Sequence, residues 1–272
     1  MSAPAIDAVA QTPPSDSLLE SLLANVAPAV DAINPDAPVF LWGPPGSGVE
    51  RLAAILREQA ERGFLADRFG AVARGDGFDD GALLPQATDD FQQASIALVE
   101  QWYAQAEVAG ATDSRVIDWL RHWDARIGLA LRQALPGARL IVALRDPRDL
   151  LLNWLAFGSP GQMAFASSTS AAVFLQQALE QLAFTIEHDV IPVHRIDPVA
   201  LQADPLQTTE DIARFIGLSV TPSPEPAQLR ELASGNHPTW LADGHWRAYR
   251  EVLAGPFAVL APIAQRLGFA VD

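Results

Sequence analysis

The chain has no cysteine, which excludes disulfides, thiolate metal sites and thiol nucleophiles and leaves the redox state of the compartment unreadable. It has no lysine, so all 18 basic side chains are arginines, set against 33 Asp and Glu. The formal net charge of −15 excludes a broad phosphate-neutralising surface and argues against nucleic acid as a partner. A local positive pocket remains compatible with an acidic chain. No apolar run approaches the ~20 residues of a membrane-spanning helix. The start, Met1-Ser2-Ala3-Pro4-Ala5-Ile6-Asp7, has no cationic segment followed by an apolar one. A cytoplasmic protein without a membrane partner is the expectation. His122, His237 and His245 are scattered singly without metal-ligand spacing, so no metal site is expected.

What is present suits one α/β core. Hydrophobic residues make up 49% of 272, enough to fill a buried sheet with helices on its faces. Residues 1–37 form a lead-in with one amphipathic helical stretch (Leu18, Leu19, Leu22, Leu23, Val26, Val30), and residues 38–272 form the domain. Short apolar runs predict strands at 38–42, 115–118, 139–144 and 190–196, with helices at 49–62, 91–107, up to Leu135, from Pro147 and over 170–188. Residues 63–90 and 158–169 are expected to be loops, and helices dominate to the end. Strands alternating with helices imply a three-layer α/β/α fold of P-loop type with a mainly parallel central sheet.

Two motifs carry chemistry. Gly43-Pro44-Pro45-Gly46-Ser47-Gly48 joins a buried strand to a helix. There glycines let successive N–H groups converge and the helix N-terminus adds partial positive charge, which together seat a phosphate or sulfate. A nucleotide-hydrolysing loop would continue with Lys and Ser or Thr, but these positions are Val49 and Glu50, which argues against an ATPase or kinase. The second motif is Arg145-Asp146-Pro147-Arg148-Asp149, continuing to Asn153 and Trp154. An Arg at the C-terminal end of a parallel strand stands in the crevice where such sheets bind ligands.

Together these residues resemble the sulfotransferases that use PAPS (3′-phosphoadenosine 5′-phosphosulfate). That family has a 5′-phosphosulfate loop, P-(R/K)-S-G-T-T, and a 3′-phosphate motif, R-x-P-x-D-x-x-x-S, in this order and context. Three further stretches agree: Val116 to Arg139; His194 to Pro205 with Ile212 to Leu218; and Gly244-His245-Trp246-Arg247-Ala248-Tyr249. The last is closest to a bacterial branch often fused to tetratricopeptide repeats, which implies a fused or associated repeat domain. The resemblance implies sulfuryl transfer from PAPS to a hydroxyl or amine acceptor. Pro45, Gly46, Ser47, Gly48, Val49 and Glu50 would cradle the 5′-phosphosulfate. Arg145 and Asn153 would hold the 3′-phosphate, Arg247 would contribute charge, and Asp118, Arg145 and Asn153 would share one sheet edge facing the loop. In related branches a carboxylate about two dozen residues after the loop removes the acceptor proton, and Asp67 stands at that position.

The departures bear on catalysis. Gly46 replaces the family's loop cation, Val49-Glu50 its Thr pair, Asn153 its 3′-phosphate Ser, and Trp119 the Lys of an Asp-Lys pair. Losing one preorganised donor to an anionic transition state typically costs ~10²–10³ in rate. Arg51 and Arg247 are the candidates to compensate. A second reading is therefore a sulfotransferase-fold binding or scaffold module without catalysis, and Gly46→Arg with Glu50→Thr is expected to restore affinity and turnover.

Overall fold

The computed structural model describes residues 14–58, 63–66, 90–111, 115–157, 165–218, 230–231 and 241–270. Among them five strands form one wholly parallel sheet in the order β2-β3-β1-β4-β5. They are β1 (Val39–Trp42), β2 (Gly63–Ala66), β3 (Val116–Trp119), β4 (Arg139–Ala143) and β5 (Val193–Ile196). β1 and β4 are buried at every position, as strands covered on both faces must be.

Alternation along the strands divides the core in two. Val39, Leu41, Ile117, Ile141 and Ala143 face one layer, formed by α2 (Val49–Arg57), α7 (Pro198–Ala203) and α8 (Pro205–Ile216). Phe40, Trp42, Val116, Leu140 and Val142 face the other, formed by α3 (Phe91–Val108), α4 (Ala125–Ala134), α5 (Pro147–Phe157), α6 (Ser168–Glu187) and α9 (Ala254–Arg266). This is the three-layer α/β/α arrangement that the alternation of elements predicts. The amphipathic stretch of the lead-in is α1 (Asp16–Leu23), whose Leu19 and Leu22 are buried in the second layer, with the helix lying against α4.

The segment 63–90, expected to be loop, contains β2 as an edge strand paired with β3 alone. The strand is only four residues long, with glycine and alanine at its ends and a single buried residue, Leu65, so it has no apolar run to announce it. The rest of that stretch lies outside the described residues, apart from Asp90.

Three helices begin with Asp–Pro. Asp146, Asp197 and Asp204 each accept a hydrogen bond from an early helical N–H, of Arg148 (2.9 Å), Val199 (2.9 Å) and Gln207 (3.0 Å). Proline follows where its missing N–H leaves no bond unmade. At β4 this fixes where the strand ends and α5 begins. The chain leaves β1 toward α2 on one face and leaves the adjacent β4 toward α5 on the opposite face. Neighbouring strands whose connections diverge in this way open a crevice at their C-terminal ends.

Candidate functional site

The loop after β1 and Arg145 after β4 meet at that crevice. Gly46 has φ +80°, and a Cβ there would lie 2.8 Å from Asn153 Nδ2. A Cβ on Gly43 would lie 2.6 Å from both Ala143 O and Ser47 Oγ, so the loop closes on the end of β4 only without a side chain. The loop curls as its composition predicts, with Ser47 N donating to Pro44 O at 2.9 Å, and Gly48 takes the left-handed conformation as the N-cap of α2. Trp154 Nε1 donates to Pro45 O at 2.8 Å, tying the loop to α5.

Arg145 is 2% exposed. Its Nη1 donates to Gly46 O (3.3 Å), Nε to Asp243 Oδ1 (2.6 Å) and Nη2 to Leu241 O (2.7 Å). Arg145 and Asn153 therefore both meet the loop, one through the Gly46 carbonyl and the other through the space left where Gly46 has no side chain.

Asn153 and Asp149 also hold the segment 241–246. Asn153 Oδ1 accepts from Leu241 N at 3.2 Å. Asp149, wholly buried, accepts from Gly244 N (2.6 Å) and Trp246 N (2.9 Å). Burial pushes its carboxyl above the ordinary range, while the two backbone bonds act in the opposite direction. Arg148 lies over the Trp246 ring at 3.6 Å and donates to Asp146 and to the Ala270 carbonyl. The second motif is thus a ladder of side chains that organises a stretch some hundred residues later in the chain, as the separations of 88 to 97 show.

A second guanidinium lies near the first. Arg51, on the first turn of α2, is 8% exposed. Burial lowers its pKa, Glu50 opposes that shift, and the charge of Arg145 adds to it. Arg51 thus lies close enough to Arg145 for the two charges to disfavour each other. Glu50 is exposed, and its Oε1 accepts from Gly46 N at 3.1 Å, so the carboxylate occupies a loop donor. Ser47 Oγ is fully buried and has no hydrogen-bond partner among the described residues.

Other expected site residues lie elsewhere. Asp118 is buried, but its carboxylate accepts from Trp102 Nε1 (2.9 Å) on the α3 side of the sheet. It stands opposite Phe40 in register, on the sheet face covered by α3, α4 and α5. Asp118 thus shares a sheet face with α5, which carries Asn153, while one of its carboxylate oxygens is taken up by Trp102. Val49 is buried in the α2 layer and offers only its backbone. Arg247 is exposed and packs on the Trp246 ring at 5.0 Å, with Nη1 against Gly244. Asp67 and His237 lie outside the described residues.

Asp243, Leu241 and the anchoring role of Asp149 were not read from sequence. The Gly244-His245-Trp246 match pointed to the neighbourhood, but nothing local marks an Asp one residue earlier as the partner of Arg145. Gly46→Arg, expected to restore a loop cation, meets both a positive φ and the Asn153 amide. The two departures are sterically linked: Asn153 is accommodated because residue 46 has no Cβ.

No protein-family model and no curated protein matches the sequence. Among solved structures, the chain is similar to mouse sulfotransferase SULT7A1 complexed with PAP (3′-phosphoadenosine 5′-phosphate), at 15% identity over 96% of each chain with a TM-score of 0.49. It is similar to the sulfotransferase domain of the Synechococcus PCC 7002 olefin synthase, at 15% identity over 89% of this chain and 98% of that one with a TM-score of 0.49. It is also similar to sulfotransferase STF1 of Mycobacterium tuberculosis H37Rv, at 15% identity over 88% of this chain and 81% of that one with a TM-score of 0.47.

Proposed function

We propose that the crevice between β1 and β4 binds a 3′-phosphorylated adenine nucleotide and that the chain is a sulfotransferase taking its sulfuryl group from PAPS. The observation that carries this reading is the buried Arg145 guanidinium at the end of β4, bonded to the loop that follows β1 and close to a second buried guanidinium, Arg51. In an acidic chain these are two guanidiniums brought to a fold's ligand-binding edge, with the carboxylates of Asp243 and Glu50 beside them.

Arg145 would hold the 3′-phosphate, since a guanidinium fork matches phosphate oxygens. The first-turn N–H groups of α2 and the Ser47 hydroxyl would face the 5′-phosphosulfate, and Arg51 would supply the charge that the loop itself lacks. Bound PAPS would supply an activated sulfuryl group: the acceptor hydroxyl or amine would bond to sulfur as the bond from sulfur to the 5′-phosphate oxygen breaks and PAP leaves, with Asp67 taking the acceptor proton. A cytoplasmic location and an associated repeat domain belong to the same reading.

One observation favours a second reading, a binding module without turnover. The Glu50 carboxylate holds Gly46 N–H, placing negative charge where charge would have to be relieved. A thermal-shift titration with PAP and ATP, followed by an assay of radiolabelled sulfate transfer, separates the readings. Stabilisation by PAP in preference to ATP supports the nucleotide site, and transfer then supports the enzyme. Equal stabilisation by both ligands, or none, rejects the 3′-phosphate site.

A further inference from the structure

We propose that Asp243 is a resident counter-ion of the site: a carboxylate of the chain itself that occupies Arg145 and leaves when an anionic ester binds. The proposal rests on the reading of Arg145 as an anion-binding residue and adds how that residue is kept and released.

Arg145 Nε donates to Asp243 Oδ1 at 2.6 Å, and the same carboxylate oxygen lies 2.6 Å from Nη2. The guanidinium edge that a phosphate would grip is therefore in contact with another anion. The partners are unequally buried: the Arg145 side chain is 1% exposed, that of Asp243 41%. A buried guanidinium released from its counter-ion would bear a heavy desolvation cost, so the fold keeps an anion beside it. The carboxylate, already facing water, loses little by rotating away.

The backbone that carries Asp243 has anchors besides the bond from Arg145 to Leu241 O. Asn153 holds Leu241 N on one side, and Asp149 holds Gly244 N and Trp246 N on the other. Rotation of one short side chain can open the guanidinium while the segment stays in place. A dianionic phosphate or a sulfate offers three or more oxygens and a larger charge than one carboxylate, so it would form the stronger set of charge-assisted bonds. Glu50 on Gly46 N–H repeats the device at the other half of the crevice. The ligand class is thus a sulfate or phosphate ester strong enough to displace a carboxylate.

The test measures affinities of wild type, Asp243→Asn and Asp243→Ala for sodium sulfate, PAP and AMP by calorimetry, with circular dichroism confirming the fold. The alanine variant repeats the asparagine experiment with no amide left to bond Arg145. Removing the competing charge should tighten sulfate and PAP binding by about tenfold, in line with the low end of the range for a charged hydrogen bond. Adding Arg145→Ala should abolish the gain. If sulfate tightens while PAP binds no better than AMP, the counter-ion stands and the 3′-phosphate reading fails. If PAP binds better than AMP but equally in wild type and both variants, the reading stands and the counter-ion is overturned. Absence of binding by all three anions to all three proteins overturns it as well.

Discussion

Arg145, Asp149 and Asn153 hold one half of the crevice with buried side chains, whereas the loop 43–48 holds the other half almost entirely with backbone. In the first half each polar side chain is matched to a partner drawn from another part of the chain, chiefly 241–246. In the second, a carboxylate on α2, that of the exposed Glu50, bonds the loop backbone at Gly46 N. The difference predicts how each half fails. A side-chain ladder collapses when one rung is removed, because its partners stay buried without water. A backbone curl tolerates changes of side-chain chemistry and fails when φ is forced.

The largest effect is expected from Arg145→Ala, which strips donors from Leu241 O and Gly46 O and frees Asp243. Urea denaturation should show a loss of about 3 kcal/mol, because the Gly46 and Leu241 carbonyls lose their donor while Asp243 is left facing water, and PAP binding should vanish. Unchanged PAP affinity in a folded variant would move the anion site away from this half.

Asp149→Asn comes next. An amide can accept from one of the Gly244 and Trp246 N–H groups but presents a donor to the other, so about 2 kcal/mol should be lost. Trp246 fluorescence should change as its segment loosens, while the loop half keeps its curl. A variant with wild-type stability and fluorescence would show that Asp149 does not anchor the segment.

The loop half is probed by Gly46→Ala. The left-handed φ should cost about 1 kcal/mol, and contact with the Asn153 amide should add to it. Combining it with Asn153→Ser should recover the contact part and leave the φ part. Strict additivity of the two substitutions would show that residues 46 and 153 are not coupled. For the same reason Gly46→Arg should be tolerated better together with Asn153→Ser than alone, which revises the repair suggested by motif comparison.

Strand-and-helix alternation was legible because β1, β4 and the long helices carry strong apolar patterns. β2 was not, since an edge strand of four residues needs only one neighbour and buries only Leu65. The strand-end Arg and the loop glycines were legible because their position in an α/β unit gives them meaning. Asp118 shows the limit of that logic: the end of a strand is visible in sequence, but the bond that takes up its carboxylate comes from Trp102 on α3, a contact no local pattern encodes. Asp243 shows a second limit, because its partner is 98 residues away and no local pattern encodes the contact.

The smallest effect compares two carboxylates with opposite pH behaviour. Burial raises the Asp149 carboxyl from its ordinary 3.8, so the folded chain binds a proton there that the unfolded chain has released. Its contribution to stability is present below 3.8 and is lost as pH rises through the raised value. Glu187, at the end of α6, lies outside the crevice and is held below its ordinary 4.5, first by the hydrogen bond from Arg266. It bonds Arg266 through both oxygens, at 3.1 and 2.8 Å, with both side chains over a third exposed. Its contribution is present above 4.5 and is lost as pH falls through the lowered value. Solvent screening keeps the pair at about 0.5 kcal/mol, so Glu187→Gln should remove only that much, and salt should erase the difference. Stability curves between about pH 3 and 6 should therefore steepen in opposite senses when Asp149→Asn and Glu187→Gln are each subtracted from wild type. Curves that move in the same sense would mean that the buried carboxylate is governed by its two backbone N–H donors rather than by desolvation, and the side-chain half of the crevice would then be a stronger anchor than its burial alone implies.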